Sequence, residues 1–272
     1  MMKVSSNLAA LGLQSSAALA QATQAKTLQS LSSGTRINSA KDDAAGSALI
    51  EQFAAQIAGS NQAVRNLNDG ISLAQTAEGA LSSISDNTDR LRELTVAAGN
   101  GTLSASDRQA MQAEADALSQ SNADVVKNAQ FNGQALLQGG AFNFQAGPNA
   151  NDLLSLNNPS LNGVNGLASA AGLLDLSSAS AANNSLALVD RDIELIAGQR
   201  GQLGAFQNRI DSGVQNLQTS ALNLSAAKSR VADTDYAATA SQWTQDKLRN
   251  NANLAMQVQA RASAGQVLSL LR

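Results

Sequence analysis

The only two prolines of the 272-residue chain, Pro148 and Pro159, lie in its middle, so long stretches on either side are free of the strongest helix breaker. In both stretches the apolar residues recur in steps of three and four. The first stripe runs Ile50, Phe53, Ile57, Ser60, Val64, Leu67, Ile71, Ala74, Glu78 and Leu81, then slips slightly to Ile84, Leu91 and Leu94. This pattern predicts one long helix with a coiled-coil-like face. Asn68-Asp69-Gly70 would mark a turn elsewhere, but inside the stripe it reads as helix with a glycine that permits close packing. Gly99-Asn100-Gly101 stops the helix, and Ser104-Ala105-Ser106-Asp107 has the spacing of an N-terminal capping box. A second helix then carries Met111, Ala115, Leu118, Asn122 and Val125 towards Asn132-Gly133. So short a connection makes the two helices antiparallel neighbours.

The strongest periodicity comes later, in Val189, Ile193, Ile196, Arg200, Leu203, Gln207, Ile210, Val214, Leu217, Ala221, Leu224, Lys228 and Val231. Between the two halves the period changes. Phe142-Asn143-Phe144-Gln145 alternates apolar and polar, Gly139-Gly140 and Gly147-Pro148 mark turns, and Leu153 to Leu156 reads as a further strand. A small β-hairpin region is expected near residues 136–158, followed by a loop from Pro159 to Ala182. The fold class is therefore mainly α, with long helices in a coiled-coil-like bundle and one small hairpin.

The two ends repeat the rhythm with smaller residues. Val4, Leu8, Leu11, Ser15, Ala18, Ala22 and Ala25 form one thin stripe; Leu248, Ala252, Ala255, Val258, Ala262 and Gly265 form the other, before the apolar close Val267-Leu268-Ser269-Leu270-Leu271. Ordering each residue costs about 1–2 kcal/mol of backbone entropy, and an isolated helix with so narrow an apolar face is marginal in water. The expectation is that both ends stay largely disordered in the monomer and fold against partners.

Composition excludes most chemistry. The chain has no histidine and no cysteine, which removes thiolate nucleophiles, Cys/His zinc sites and Ser–His–Asp arrangements. Asp42-Asp43 and Asp233-Thr234-Asp235 lack companions for a metal or a catalytic dyad and read as local caps or solvated turns. No phosphate loop or dinucleotide fingerprint is present, so no cofactor is expected. A net charge of −3 and 3% aromatic residues argue against nucleic acid as a partner. No stretch reaches the roughly 20 apolar residues of a membrane span, and the N-terminus carries no apolar block of signal-peptide length. The reading is a protein that is not an enzyme and works by assembling.

Several runs then become recognisable. Leu31-Ser32-Ser33-Gly34-Thr35-Arg36-Ile37-Asn38-Ser39-Ala40-Lys41-Asp42-Asp43-Ala44-Ala45-Gly46 closely resembles the N-terminal signature of bacterial flagellins. So do Asn68-Asp69-Gly70-Ile71-Ser72-Leu73-Ala74-Gln75-Thr76-Ala77-Glu78-Gly79-Ala80-Leu81 and Leu91-Arg92-Glu93-Leu94. At the other end Leu203-Gly204-Ala205-Phe206-Gln207-Asn208-Arg209-Ile210, Ser229-Arg230-Val231-Ala232-Asp233-Thr234-Asp235-Tyr236-Ala237 and the closing leucines match the C-terminal pattern. The family's Asn-Gln-x-Pro-Gln element appears here as Arg261-Ala262-Ser263-Ala264-Gly265, without its proline. The interval between Asn158 and Leu186 is too short for a folded insertion, so the chain resembles a minimal flagellin.

The resemblance implies a discontinuous two-domain architecture: residues 1–45 and 232–272 as an inner domain lining the filament channel, and residues 46–231 as an outer helical domain. It implies a structural subunit that polymerises with copies of itself into the extracellular flagellar filament for swimming. Export would be through the type III flagellar export apparatus without a cleaved signal peptide. An export chaperone and the filament cap and junction proteins are implied as further partners. Assembly would run through Leu8, Leu11, Leu28, Leu31, Arg36, Leu248, Leu254, Val258, Val267, Leu268, Leu270 and Leu271. The positions matching the family's Toll-like receptor 5 contacts are Arg90, Leu94 and Glu114, with Asp89 standing where a Gln is usual. The alternative is a hook–filament junction protein, against which the run Ser33-Gly34-Thr35-Arg36-Ile37-Asn38-Ser39-Ala40-Lys41-Asp42-Asp43 favours a filament subunit.

Overall fold

A computed structural model describes residues 6–162 and 166–269, with side chains at 11–158, 160–162 and 166–262. The helices are α1 (Ser6–Ser33), α2 (Ala44–Ala98), α3 (Ala105–Asn128), α4 (Ala179–Ala232) and α5 (Tyr236–Ser269). Short strands β1 (Gln130–Phe131), β2 (Gln134–Ala135), β3 (Gln138–Gln145) and β4 (Leu153–Ser160) lie between α3 and α4. At 55 and 54 residues, α2 and α4 are each about 80 Å long. The chain divides into two compact units, one with bounds Met1–Ala55 and Asn223–Arg272, the other Gln56–Leu222.

In the second unit α2, α3 and α4 share one core. Between Gln56 and Ala98, α2 buries Leu73 and Leu94 beside a seam made of Ser60, Ala63, Leu67, Gly70, Ala74, Ala77, Leu81, Ile84, Thr88, Leu91, Thr95 and Ala98. The seam positions alternate by three and four with no slip. The apparent slip at Ile84 arises because several true seam positions are small or polar and carry no apolar signal. α4 behaves likewise, burying Ala182, Ser185, Val189, Asp192, Ile196, Gln199, Leu203, Phe206 and Ile210. Ile193 and Gln207, expected on the seam, flank it instead, and Arg200 is exposed. At Gly70 an added Cβ would lie 3.1 Å from Ile210 Cδ1 and 3.3 Å from the Phe144 ring, so the glycine lets α4 and the hairpin approach α2.

The capping box forms as expected: the Asp107 amide donates to Ser104 Oγ at 3.2 Å, and the Ser104 amide donates to Asp107 Oδ2 at 3.1 Å. After α3 two hairpins follow in succession. Asn132 (φ 51°) and Gly133 (φ 79°) form the tight turn of β1–β2, with Gln130 facing Ala135. β3 and β4 pair antiparallel, Phe142 with Leu156 and Phe144 with Leu154, which places the hairpin where the alternation put it.

The segment expected to be loop from Pro159 onwards does more than connect. Leu161, Leu167, Leu174 and Leu176 are buried, and the described part of this segment is held by polar groups of the helices. Asp192 accepts the backbone N–H groups of Ala168 and Ser169, each at 2.8 Å. Gln112 accepts from the Leu176 amide and donates to the Leu174 carbonyl at 3.1 Å. The Ser185 hydroxyl accepts from the Asp175 amide at 2.8 Å. The segment is a strap filling the space that three helices alone leave open. Its backbone needs these polar residues, which accounts for Ser185 and Asp192 in the α4 seam.

In the unit formed by the two ends, α1 and α5 pair antiparallel. The Thr27 hydroxyl donates to Asp246 Oδ2 at 2.9 Å, and Asn250 Nδ2 donates to Gln24 Oε1 at 2.8 Å. The ends, expected to be without order until a partner arrives, are helical here because each terminus is the other's first partner. That seam is poor in apolar contact. It holds Leu13, Ala17, Ala20, Gln24 and Thr27 against Trp243, Asp246, Asn250, Asn253 and Gln257. Within it Trp243 Nε1 and Asn250 Oδ1 are buried without a hydrogen-bond partner among the described residues. Each such group costs about 1–3 kcal/mol, so the pair is weakly held.

Candidate assembly and contact surfaces

The stripes read from the sequence at the two ends are the faces pointing away from this seam. Leu11, Ser15, Ala18, Ala22 and Ala25 are all exposed, as are Leu248, Ala252, Ala255, Val258 and Ala262. At 100° per residue they lie on the far side of each helix from the residues in contact. Leu11 is 68% exposed, Leu248 71% and Val258 69%; Leu19, Leu28, Leu254 and Met256 add to the exposed apolar surface. Single exposed leucines are ordinary, whereas a repeated apolar face on both members of a helix pair is a surface left for association. Leu19 and Met256 were missed by the sequence reading because they sit beside the stripes. Leu31 is half-buried. The Leu8, Val267 and Leu268 side chains, and Leu270 and Leu271 altogether, lie outside the described residues.

Arg36 has an internal role. Its amide donates to the Ala232 carbonyl at 2.6 Å and its Nη2 to the Val231 carbonyl at 2.8 Å, so it caps the C-terminal end of α4. Gly34, at φ +70°, ends α1, its amide donating to the Ser30 carbonyl at 3.0 Å, while its carbonyl accepts from the Thr234 amide at 3.0 Å. The acidic pairs are caps, as expected. Asp43 accepts from the Gly46 amide at the start of α2, and Asp235 from the amides of Ala237 and Ala238 at the start of α5. Asp42 pairs with Lys26 at 3.0 Å, not with the nearer-in-sequence Arg36 or Lys41. That hydrogen bond holds the Asp42 carboxyl below its ordinary range.

In the other unit Arg90 joins α2 to α3. Its Nη2 lies 2.8 Å from Glu114 Oε1 and its Nη1 2.8 Å from Glu93 Oε2. The two carboxylates, Glu93 first, hold the Arg90 proton more firmly than usual. The three side chains are about half-exposed or more, beside a groove of about 490 Å³ lined by Asp89, Arg92, Glu93, Val96 and Ala97. Leu94 does not share that surface. It is 6% exposed and packs with Leu91, Ala115 and Val189 in the core beneath. Arg92, absent from the sequence candidates, pairs with Asp190 of α4 at 2.8 Å and fixes the third helix to the same corner.

Long helices from opposite ends of a chain, paired through small and polar residues with their apolar faces outward, define a discontinuous helical assembly protein. The comparisons give the family. Residues 4–141 match the bacterial flagellin N-terminal helical region and residues 186–271 the bacterial flagellin C-terminal helical region. The chain is 37% identical to a flagellin of Halalkalibacterium halodurans over 91% of both chains, and 36% identical to a flagellin of Bacillus subtilis over the whole of both. Among solved structures it is similar to a Bacillus cereus flagellin (TM-score 0.51, 28% identity, 60% of this chain and 94% of that one). It also shares a fold with a putative flagellar hook-associated protein of Vibrio parahaemolyticus (TM-score 0.61, 15% identity, 71% of this chain and all of that one). The chain belongs to the bacterial flagellin family. It is a structural subunit of the flagellar filament, from a family of structural proteins and not of enzymes.

Proposed function

We propose that the paired ends are the assembly element, and that residues 1–45 and 232–272 form an inner domain packed around the filament channel, with 46–231 outside it. The observation that carries this reading is the outward placement of the apolar stripes on both α1 and α5. A helix pair whose internal seam is mostly alanine, threonine and amide, with Leu13 and Trp243 as its large apolar members, gains less by folding alone than by also burying those stripes against a neighbouring copy. Weak ends also suit passage of an unfolded chain through the flagellar export apparatus, with a chaperone covering the apolar faces beforehand. The route ends in the extracellular filament between junction and cap proteins.

The reading is tested by seeding purified monomer with short filament fragments and following growth by electron microscopy. The full chain is expected to extend the seeds, and chains lacking either terminal segment are expected not to. Growth by a truncated chain overturns it.

A second reading concerns the surface around Arg90. The Arg90–Glu114 pair gives the monomer a rigid charged patch beside exposed Val96, suited to recognition by Toll-like receptor 5. Arg90 and Glu114 supply the contact; Leu94 supports it from below.

A further inference from the structure

We propose that the backbone bridge between residues 34–36 and 232–234 is a clasp from which the two chain ends pair, α1 and α5 closing outward from it towards their tips. The proposal deepens the assembly reading and rests on it for its consequence. Arg36 serves assembly as a positioning residue of the clasp, not by touching a neighbouring copy.

The bridge is a short piece of antiparallel pairing in which Thr35 faces Asp233. Its hydrogen bonds flank that pair: the Thr234 amide donates to the Gly34 carbonyl at 3.0 Å, and the Arg36 amide to the Ala232 carbonyl at 2.6 Å. Arg36 Nη2 adds a charge-assisted bond to the Val231 carbonyl at 2.8 Å. Gly34, at φ +70°, turns the chain out of α1 into the bridge. Since α1 ends at Ser33 and α5 starts at Tyr236, the two helices leave the bridge as a pair whose register it has already fixed. Polar contacts gather around it. Asn38 Nδ2 donates to Ser33 Oγ at 3.0 Å, Lys26 pairs with Asp42 at 3.0 Å, and the Thr234 and Thr239 hydroxyls are 3.0 Å apart.

Going outward, the seam passes Trp243, then Thr27 with Asp246 and Gln24 with Asn250, then Ala20, Ala17 and Leu13 against Asn253 and Gln257. Joining segments so far apart in sequence costs its closure entropy once, at the first contact. Each later turn is added beside a turn already paired, as in helix growth after nucleation. Beyond Trp243 most added turns gain little, because their contacts are alanine, hydroxyl and amide. Pairing is therefore firmest beside the clasp and thins towards the tips.

Amide exchange on the full-length monomer tests the direction of pairing. The amides of Thr27 and Trp243 are expected to exchange at least about ten-fold more slowly than those of Ala17 and Gln257. Arg36→Pro removes both the amide donor to Ala232 and the side-chain donor to Val231. It is expected to bring Thr27 and Trp243 to the exchange rate of the tips and to slow seeded growth, while Leu81 and Ile196 keep the parental rate. The chain has no cysteine, so an introduced pair reports alone. Thr35→Cys with Asp233→Cys occupies a non-hydrogen-bonded pair, where Cα atoms lie about 4.5 Å apart and a disulfide fits. Added to Arg36→Pro and oxidised, it is expected to restore both the slow exchange and the growth although the arginine is gone. Equal exchange along each helix in the parent, or unchanged exchange at Thr27 and Trp243 in Arg36→Pro, overturns the proposal. Restored exchange without restored growth overturns the positioning role of Arg36, and leaves the assembly role of the ends to the truncation experiment.

Discussion

The Thr27 hydroxyl donates to Asp246 Oδ2 at 2.9 Å, joining side chains 219 positions apart in the sequence. Neither residue is apolar, and neither lies on the stripe that the sequence makes visible at its end of the chain. The visible stripes face outward, and the hidden, more polar faces meet. A helix pair arranged this way leaves its larger apolar side chains in solvent, which is the physical basis for the proposal that the subunit finishes folding as it assembles.

Amide exchange should separate the ends from the bundle. In the monomer, residues 11–28 and 248–262 are expected to exchange orders of magnitude faster than the buried positions of α2 and α4, and to become protected in filaments. Equal protection in the monomer contradicts a weak terminal pair.

The strap over residues 166–178 hangs on Asp192. Asp192→Ala leaves the amides of Ala168 and Ser169 buried without an acceptor. The expected loss of stability is about 2–4 kcal/mol, read from the urea midpoint by circular dichroism. A change smaller than about 0.5 kcal/mol, the range of an ordinary surface substitution, contradicts the pinning role.

Legibility in the sequence followed side-chain size. Leu67, Leu81 and Leu91 advertised the α2 seam, whereas Ala63, Gly70, Thr88 and Thr95 fill equal places and gave no signal. At the ends the logic inverted: leucine and valine marked the outward face, because the face shared with the other terminus is mostly small and polar, with Leu13 and Trp243 as its large apolar members. The hairpin was legible through the alternation at Phe142–Gln145. The strap was not, since its leucines follow no period and its glycines and asparagines read as loop. Asn132-Gly133, expected near the end of the second helix, is the turn of a tight hairpin. Arg90 and Glu114 were found only through family resemblance, whereas Leu94 lay on the apolar stripe that the sequence showed and is buried as that stripe implied.

The capping box predicts behaviour in acid. Ser104→Ala removes the acceptor for the Asp107 amide and should destabilise the protein by about 1 kcal/mol. The Ser104 hydrogen bonds lower the Asp107 carboxyl from 3.8 in the folded state. The unfolded chain therefore binds the proton first. Its contribution is complete above about pH 4 and is lost as pH falls through the lower folded value. Asp42, lowered by Lys26, adds to the same loss. Thermal unfolding from pH 6 down to 2 should show a smaller acid-dependent drop in Ser104→Ala than in the parent. An identical drop contradicts the assignment.

Arg90 and Leu94 should separate contact from support. Arg90→Ala is expected to weaken binding of the monomer to the Toll-like receptor 5 ectodomain by about ten-fold or more while leaving the thermal midpoint nearly unchanged. Leu94→Ala is expected to cost about 2–5 kcal/mol of stability through the cavity it opens. Undiminished binding by Arg90→Ala contradicts the receptor reading.

The central claim, that the outward faces of α1 and α5 are completed by neighbouring copies, is tested most directly by Leu248→Ser combined with Val258→Ser. Both residues are exposed in the single chain, so the circular dichroism of the monomer should match the parent. Burying each on assembly is worth about 1.5–3 kcal/mol. Losing both should raise the concentration needed for seeded growth by about a hundred-fold or more. Growth at the parental concentration would contradict the account.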